Sequence, residues 1–445
     1  MSPRSFPDAS FARTDARTRG LARALAAVLA LGLALPAAAQ TVLIRGAKVH
    51  TATAQGTLED ADVLVRDGTI AAVGKNLAAG NATVVEARGR PITPALFGGI
   101  TPIGLQEITL GEETRDSAAA LGDTKDMVVR PEFDVTLAYN PASVLVPIAR
   151  VEGIGFSMLG ADSVKGGSIV GGQGGVVRLD GSPDPIGPRA LFLKLGADGA
   201  DLSGKSRAAQ WMLLDQMIDE VRGRIGGGSD MAMLTPAGRQ TLARYIDGGG
   251  RVVVHIHRAA DIRQLLRWSK RHGVNVAILG GAEAWMLAPE LAAAKVAVFL
   301  DPLANLPGDF DRIGASLQNA ARLHAAGVQV SFSQFDDPAH YARKIRQAAG
   351  NAVANGLPWE DGLAGLTRVP AEVFGVADRI GSIAVGKRAD LVLWTGDPLE
   401  VSTVAAQVWF DGRAIPMTSR QTELRDRYLR SPGPLPRAYP APAGE

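Results

Sequence analysis

The spacing of hydrophobic and polar positions changes period twice along this chain. From Thr41 to about Arg90 the apolar residues come in short β-rich runs, "TVLIRGAKVH", "DADVLVRDGTIAAVG" and "ATVVEARG", and Asp67-Gly68 between two of these segments signals a tight hairpin turn. The same texture returns near the other end in "GKRADLVLWTGDP" and "AAQVWFDGRAI", again with an Asp-Gly pair, Asp411-Gly412. Neither end has enough strands to cover both faces of a sheet, so the two are expected to join in one small composite β-sandwich.

Between them strand-like and helix-like patterns alternate. The apolar runs "ALFLKLG" (190–196), "RVVVHIH" (251–257), "VNVAILGG" (274–281), "VAVFLD" (296–301) and "VQVSFS" (328–333) are separated by amphipathic stretches such as "AADIRQLLRWSKRHG" and "RIGASLQNAARLHAAG", the latter closing on Gly327 as a C-terminal cap. Near-continuous apolar strands alternating with helices predict a parallel sheet buried on both faces. A stretch of about 290 residues suits an α/β fold of the (β/α)8 TIM-like barrel type. Periodicity cannot decide closure, and a doubly wound open sheet is the alternative.

The expected organisation is then residues 1–39 as a secretory signal peptide, 40–93 as the first part of the sandwich, 94–381 as the barrel, 382–430 as the second part of the sandwich and 431–445 as a Pro-rich tail. The leader rests on Arg13, Arg17, Arg19 and Arg23 before or within the start of the apolar region, on "ALAAVLALGLAL" (24–35), and on "PAAA" ahead of Gln40. That run falls short of the roughly 20 apolar residues of a membrane span. The reading is export across the inner membrane, a periplasmic location and no membrane segment in the mature form, with an uncleaved anchor as the alternative. The Gly-rich stretch 164–181, "VKGGSIVGGQGGVVRLDG", lacks dinucleotide or P-loop spacing and is read as tight turns between short strands.

Composition narrows the chemistry. Hydrophobic residues at 46% and charged residues at 21% fit a globular protein, and 47 Lys plus Arg against 45 Asp plus Glu leave a formal charge of +2. That balance argues against a nucleic-acid partner, whose phosphates need clustered cations. The absence of Cys excludes disulfides, a thiolate nucleophile and Cys-ligated zinc. Of the six His, His50, His272 and His324 read as structural, while His340, just after Asp336 and Asp337, is either a site residue or part of a capping region. His255 and His257 sit two apart on one strand and project to the same face, an arrangement open to metal binding or to a buried hydrogen-bonded pair.

With these runs in place the mature chain resembles the amidohydrolase superfamily, in particular its imidazolonepropionase-like branch. "LTRVPAEVFGVADRIGSIAVGKRADLVLWTGDP" (366–398) resembles the last barrel helix and the return to the sandwich, "VVEARGRPITPALFGG" the entry into the first strand, and "VVVHIHRAADI" with "VAILGGAEAW" the fifth and sixth strands. The resemblance implies a His-x-His pair ending the first strand, where this chain has Ile100, Thr101 and Pro102, and a sixth-strand His, where it has Gly280. It places His255 on the fifth-strand ligand and Lys194 on the position of a bridging Lys. The eighth-strand Asp aligns nearest Phe335, with Asp336 one place on. A binuclear centre is thus expected to be largely lost.

Two readings follow. One is a hydrolase of non-peptide carbon–nitrogen bonds, with His255, Asp336 and His340 as catalytic candidates and His255, His257 and Lys194 as metal candidates, holding one zinc or other divalent ion or none. The other is a catalytically silent relative that binds a ligand or partners an active paralogue. The expected partners are a small-molecule substrate or ligand and either a second copy of the chain or a paralogue.

Overall fold

The computed structural model describes residues 41–107, 115–122, 128–336 and 339–429. The expected leader and the Pro-rich tail lie outside the described residues. In chain order the first strands are β1 (Val42–His50), β2 (Thr57–Arg66), β3 (Thr69–Gly74), β4 (Thr83–Glu86) and β5 (Pro91–Pro94). The barrel wall is β6 (Leu96–Thr101), β7 (Ile154–Leu159), β8 (Val170–Arg178), β9 (Ile186–Lys194), β10 (Arg251–Ile256), β11 (Asn275–Gly280), β12 (Val298–Leu300) and β13 (Val330–Phe332). Strands β14 (Leu391–Trp394), β15 (Ala405–Phe410) and β16 (Arg413–Ala414) then return to the first sheet.

The two chain ends make a continuous sheet in the order β16-β15-β14-β5-β1-β2-β3, with β4 also on β1. It has a core of its own around Ile44, Val63, Ile92, Leu391 and Trp409. Both Asp-Gly pairs are hairpin turns with positive φ at each residue, 51° and 77° at Asp67-Gly68 and 47° and 71° at Asp411-Gly412, which is what a two-residue turn matching the strand twist requires. A buried ionic cluster joins the sheets. Arg178 on β8 bonds Asp390 through Nε (3.1 Å) and Nη2 (2.7 Å), and reaches Asp180 (2.6 Å) and Asp411 (3.0 Å).

The second sheet runs β13-β12-β11-β10-β9-β8-β7-β6, a nearly closed eight-stranded barrel. Its neighbours pair in parallel except around β8, which is antiparallel to both β7 and β9. This strand lies in the stretch that sequence reads as turns. Its nine residues are all buried, and its glycines admit neighbouring backbone: a Cβ on Gly174 would collide with the carbonyl oxygen of Leu159, and one on Gly172 would lie 2.5 Å from that of Phe133. The opposite end of the barrel from the β10 terminus is packed with aromatics, Phe97, Phe156, Phe299 and Phe374, with ring centroids 5.1 to 6.2 Å apart.

Helices flank the wall. Residues Ala259–His272 form the expected helix, ended by Gly273 at φ 74°. The expected helix over 312–326 shrinks to Asn319–Ala325. Tertiary bonds capture the rest: Glu283 accepts from the amide of Gly314 (2.9 Å), Asp311 accepts from that of Ala197 (2.7 Å), and Arg312 turns towards Asp336. The result is an irregular segment, residues 301–318, lying along the barrel mouth. Among the described residues no helix is long and apolar enough to cross a membrane.

Candidate active site

Strand β10 begins at Arg251, whose guanidinium bonds the carbonyl of Val373 at the closed end, and alternation carries Val253 and His255 to the inner face. His257 follows the last paired residue and stays on that face. Its carbonyl accepts from Glu283 N (3.0 Å), and the carbonyl of Ile256 accepts from Gly281 N (2.8 Å), so the β10 end is tied to the β11 end. Both imidazoles are buried, and their Nε2 atoms are 3.0 Å apart with the rings edge to face. One nitrogen of this pair must donate and the other accept.

Asp336 completes the group. Its Oδ2 lies 3.6 Å from His255 Nε2 and 3.0 Å from Arg312 Nη2, and the donor atoms of His255, His257 and Asp336 fall within 4.8 Å of one another. They line a cavity of about 130 Å³ with Arg312, Ser333, Gln334 and Phe335. The electrostatics separate the roles. Burial, reinforced by the charges of His255 and Arg312, lowers the His257 pKa to about 2, so its ring is neutral. For Asp336, partial enclosure opposes ionisation, but the contact with His255 and the charges of His255 and Arg312 outweigh it and hold the carboxyl well below its usual range. Arg312 is the permanent member of that set, because a guanidinium stays charged at any working pH.

The other candidates lie elsewhere. Lys194 pairs in register with His255 on β9, yet its Nζ reaches Asp162 (2.5 Å) and the carbonyl of Ser163 (3.4 Å). His340 is outside the cavity wall, with its ring on Tyr341 at 4.5 Å. Ile100 and Pro102, at the end of the first barrel strand, are buried. Behind the cavity, Phe335 of its wall packs on Ile100 and Gly160: a Cβ on Gly160 would lie 2.5 Å from the Phe335 ring and 2.8 Å from Ile100 Cγ2. Phe335 also stands edge-on to His255 at 5.9 Å. Sequence reasoning gave no role to Arg312 or Gln334. Arg312 begins a stretch whose pattern reads as helix, and its function depends on a contact 24 residues away.

A family model of the amidohydrolase family matches residues 184–415, more than half of the chain. The chain belongs to the amidohydrolase family. A solved amidohydrolase from Thermotoga maritima superposes with a TM-score of 0.74 at 26% identity, covering 84% of this chain and 99% of that one. An adenine deaminase from Deinococcus radiodurans is 28% identical over 367 residues, 79% of this chain and 58% of that protein. The amidohydrolase tasK of Hapsidospora irregularis is 39% identical over 79 residues, 18% of this chain and 8% of that protein. The chain therefore spans less than two thirds of either curated relative.

Proposed function

We propose that this chain hydrolyses a non-peptide carbon–nitrogen bond, that of an amide or cyclic amide, in a small molecule. The observation that carries this reading is the convergence of His255, His257 and Asp336 on one cavity at the ends of the barrel strands, where reacting groups of such barrels gather. Family membership supports it, as do the names of the two relatives, an adenine deaminase and an amidohydrolase.

The donor set suits one divalent ion. Two ligands about 2.1 Å from a tetrahedral metal stand about 3.4 Å apart, close to the 3.0 Å and 3.6 Å found here. A bound ion would supply Lewis acidity, polarising a carbonyl and making water more acidic. The rest falls to the chain. Asp336, ionised at neutral pH and held by Arg312, is a weak base that can take a proton only from acidified water. With His255 and His257 holding such an ion, the Asp336 carboxylate would itself return that proton to the leaving nitrogen. Without an ion the two Nε2 atoms share one proton, and an ion held by both would take its place. Gln334, whose Oε1 is buried without a partner on the cavity wall, offers an acceptor on which a substrate N–H can be oriented.

Hydrolysis of a panel of N-acyl amino acids and cyclic amides tests the reading. His255→Ala should lower the rate by about 10²- to 10⁴-fold, and an unchanged rate would overturn it. A second reading, a catalytically silent relative that binds a ligand or pairs with a paralogue, draws on the apolar packing of Phe335 over Ile100 and Gly160. Protein that turns over nothing on the whole panel would favour it. We also propose a periplasmic setting, supported by the Arg-rich apolar leader.

A further inference from the structure

We propose that His257 is a metal ligand whose place depends on residue 280 having no side chain, so that the ends of β10 and β11 together build a site for a single divalent transition-metal ion. The inference rests on the hydrolytic reading for its purpose and on local geometry for its content.

Gly280 ends β11 opposite Ile256, at φ 93°. A Cβ added there would meet the His257 ring itself, 2.9 Å from Nε2 and 3.0 Å from Nδ1, and would collide outright with Cε1. Any other residue at 280 would push the imidazole off the end of β11 and separate its Nε2 from that of His255. Glycine is also the residue best suited to this left-handed backbone. One position thus satisfies two conditions, a turn of the chain and room for a ring.

The His257 ring is enclosed, with its Nδ1 in contact with no hydrogen-bond partner, so the Nε2 facing His255 and Asp336 is the polar contact it makes. Two imidazole nitrogens and a carboxylate oxygen favour zinc or cobalt over magnesium or calcium, which prefer all-oxygen shells. Among the described residues no second cluster of three such donors lies beside the first. Lys194 is paired with Asp162, and Phe335 on the adjoining wall is backed by Ile100.

The test uses the mature chain, stripped with chelator and titrated with Zn²⁺ or Co²⁺. The readouts are bound metal by elemental analysis after desalting, the thermal melt, and the visible spectrum of the cobalt form. The expected result is one equivalent of metal, a raised melting temperature and no response to Mg²⁺. Gly280→Ala and His257→Asn should each weaken binding by about 100-fold or more, and the double variant no further than His257→Asn alone.

His257→Asn leaves Gly280 in place, so it remains decisive should Gly280→Ala fold poorly. Wild-type binding of two equivalents or none, or unweakened binding by His257→Asn, would overturn the inference. So would unweakened binding by a folded Gly280→Ala. Protein that binds one equivalent through His257 but hydrolyses nothing would instead sink the hydrolase reading and leave the metal site standing.

Discussion

The hydroxyl of Ser333 clasps both polar groups of Ile100, accepting from its N–H at 3.2 Å and donating to its carbonyl at 3.0 Å. These residues belong to the last and first strand ends of the barrel, between which no ladder is formed. One side chain therefore does at the seam what backbone pairing does elsewhere in the wall. Ser333→Ala would leave a buried N–H and C=O without partners, and should destabilise the fold by about 1–3 kcal/mol. Equilibrium denaturation in urea measures this; an unchanged midpoint would mean that water or a rearranged strand replaces the hydroxyl.

Removal of Arg178 should cost more, and the cost should depend on pH. Asp390 is buried, and burial raises its pKa despite the guanidinium against it. In Arg178→Met that carboxylate loses its partner, which for a buried pair costs about 3–5 kcal/mol. The folded variant then favours protonated Asp390. A group whose folded pKa is raised gains stability as pH falls, so the deficit against wild type should shrink in acid. Denaturation curves at neutral and mildly acidic pH would show it, and a deficit independent of pH would exclude Asp390 as its source.

His50 gives acid sensitivity of the opposite sign. Its ring is buried against Trp359, at 4.6 Å, with Nδ1 2.8 Å from Thr57 Oγ1. Burial, with a contribution from Lys48, lowers its pKa from 6.5 to about 4. The folded state holds this His neutral and the unfolded state does not, so its stability contribution is full above pH 6.5 and is lost as pH falls towards 4. The limit is about 3 kcal/mol at 1.36 kcal/mol per unit. His50→Gln should flatten the stability profile across that interval, and an equally steep profile would locate the titration elsewhere.

Arg312→Met should tighten metal binding. The guanidinium bonds the same carboxylate oxygen that faces His255, so it competes with a cation for Asp336 and repels it. Relief of a surface-type repulsion of this kind is worth about 1 kcal/mol, or roughly fivefold in affinity. Titration of the stripped variant with Co²⁺ decides the matter, and weaker binding would show that Arg312 holds Asp336 in place for the ion.

Much of this architecture could be read from the chain because its signals are local. The helix Ala259–His272 has an apolar stripe, a basic last turn and Gly273 after it, and both Asp-Gly turns sit between alternating runs. Strand β8 was hidden because its glycines look like turn residues, whereas their function is to let Leu159 and Phe133 approach. Residues 312–318 carry a helical pattern that Glu283 and Asp336 override through contacts remote in sequence. For the site, the spacing of His255 and His257 announced a shared face. Which of Asp336, Lys194 and His340 would join them depended on loop paths that no periodicity encodes.

The sheet built from both chain ends sets a schedule for folding. Strand β5 pairs with β1 on one side and β14 on the other, and the indole N–H of Trp394 donates to Thr93 Oγ1 across 301 positions of sequence. Contacts this distant form late, since the loop between them must be closed first. A nascent chain can begin β1 to β3 early but cannot finish that sheet, or bury Arg178 against Asp390, until almost all of it has been made. A chain interrupted before Asp390 would keep an open edge at β5 and leave Arg178 with Asp180 but without Asp390 and Asp411, and would thereby be marked as incomplete for proteolysis.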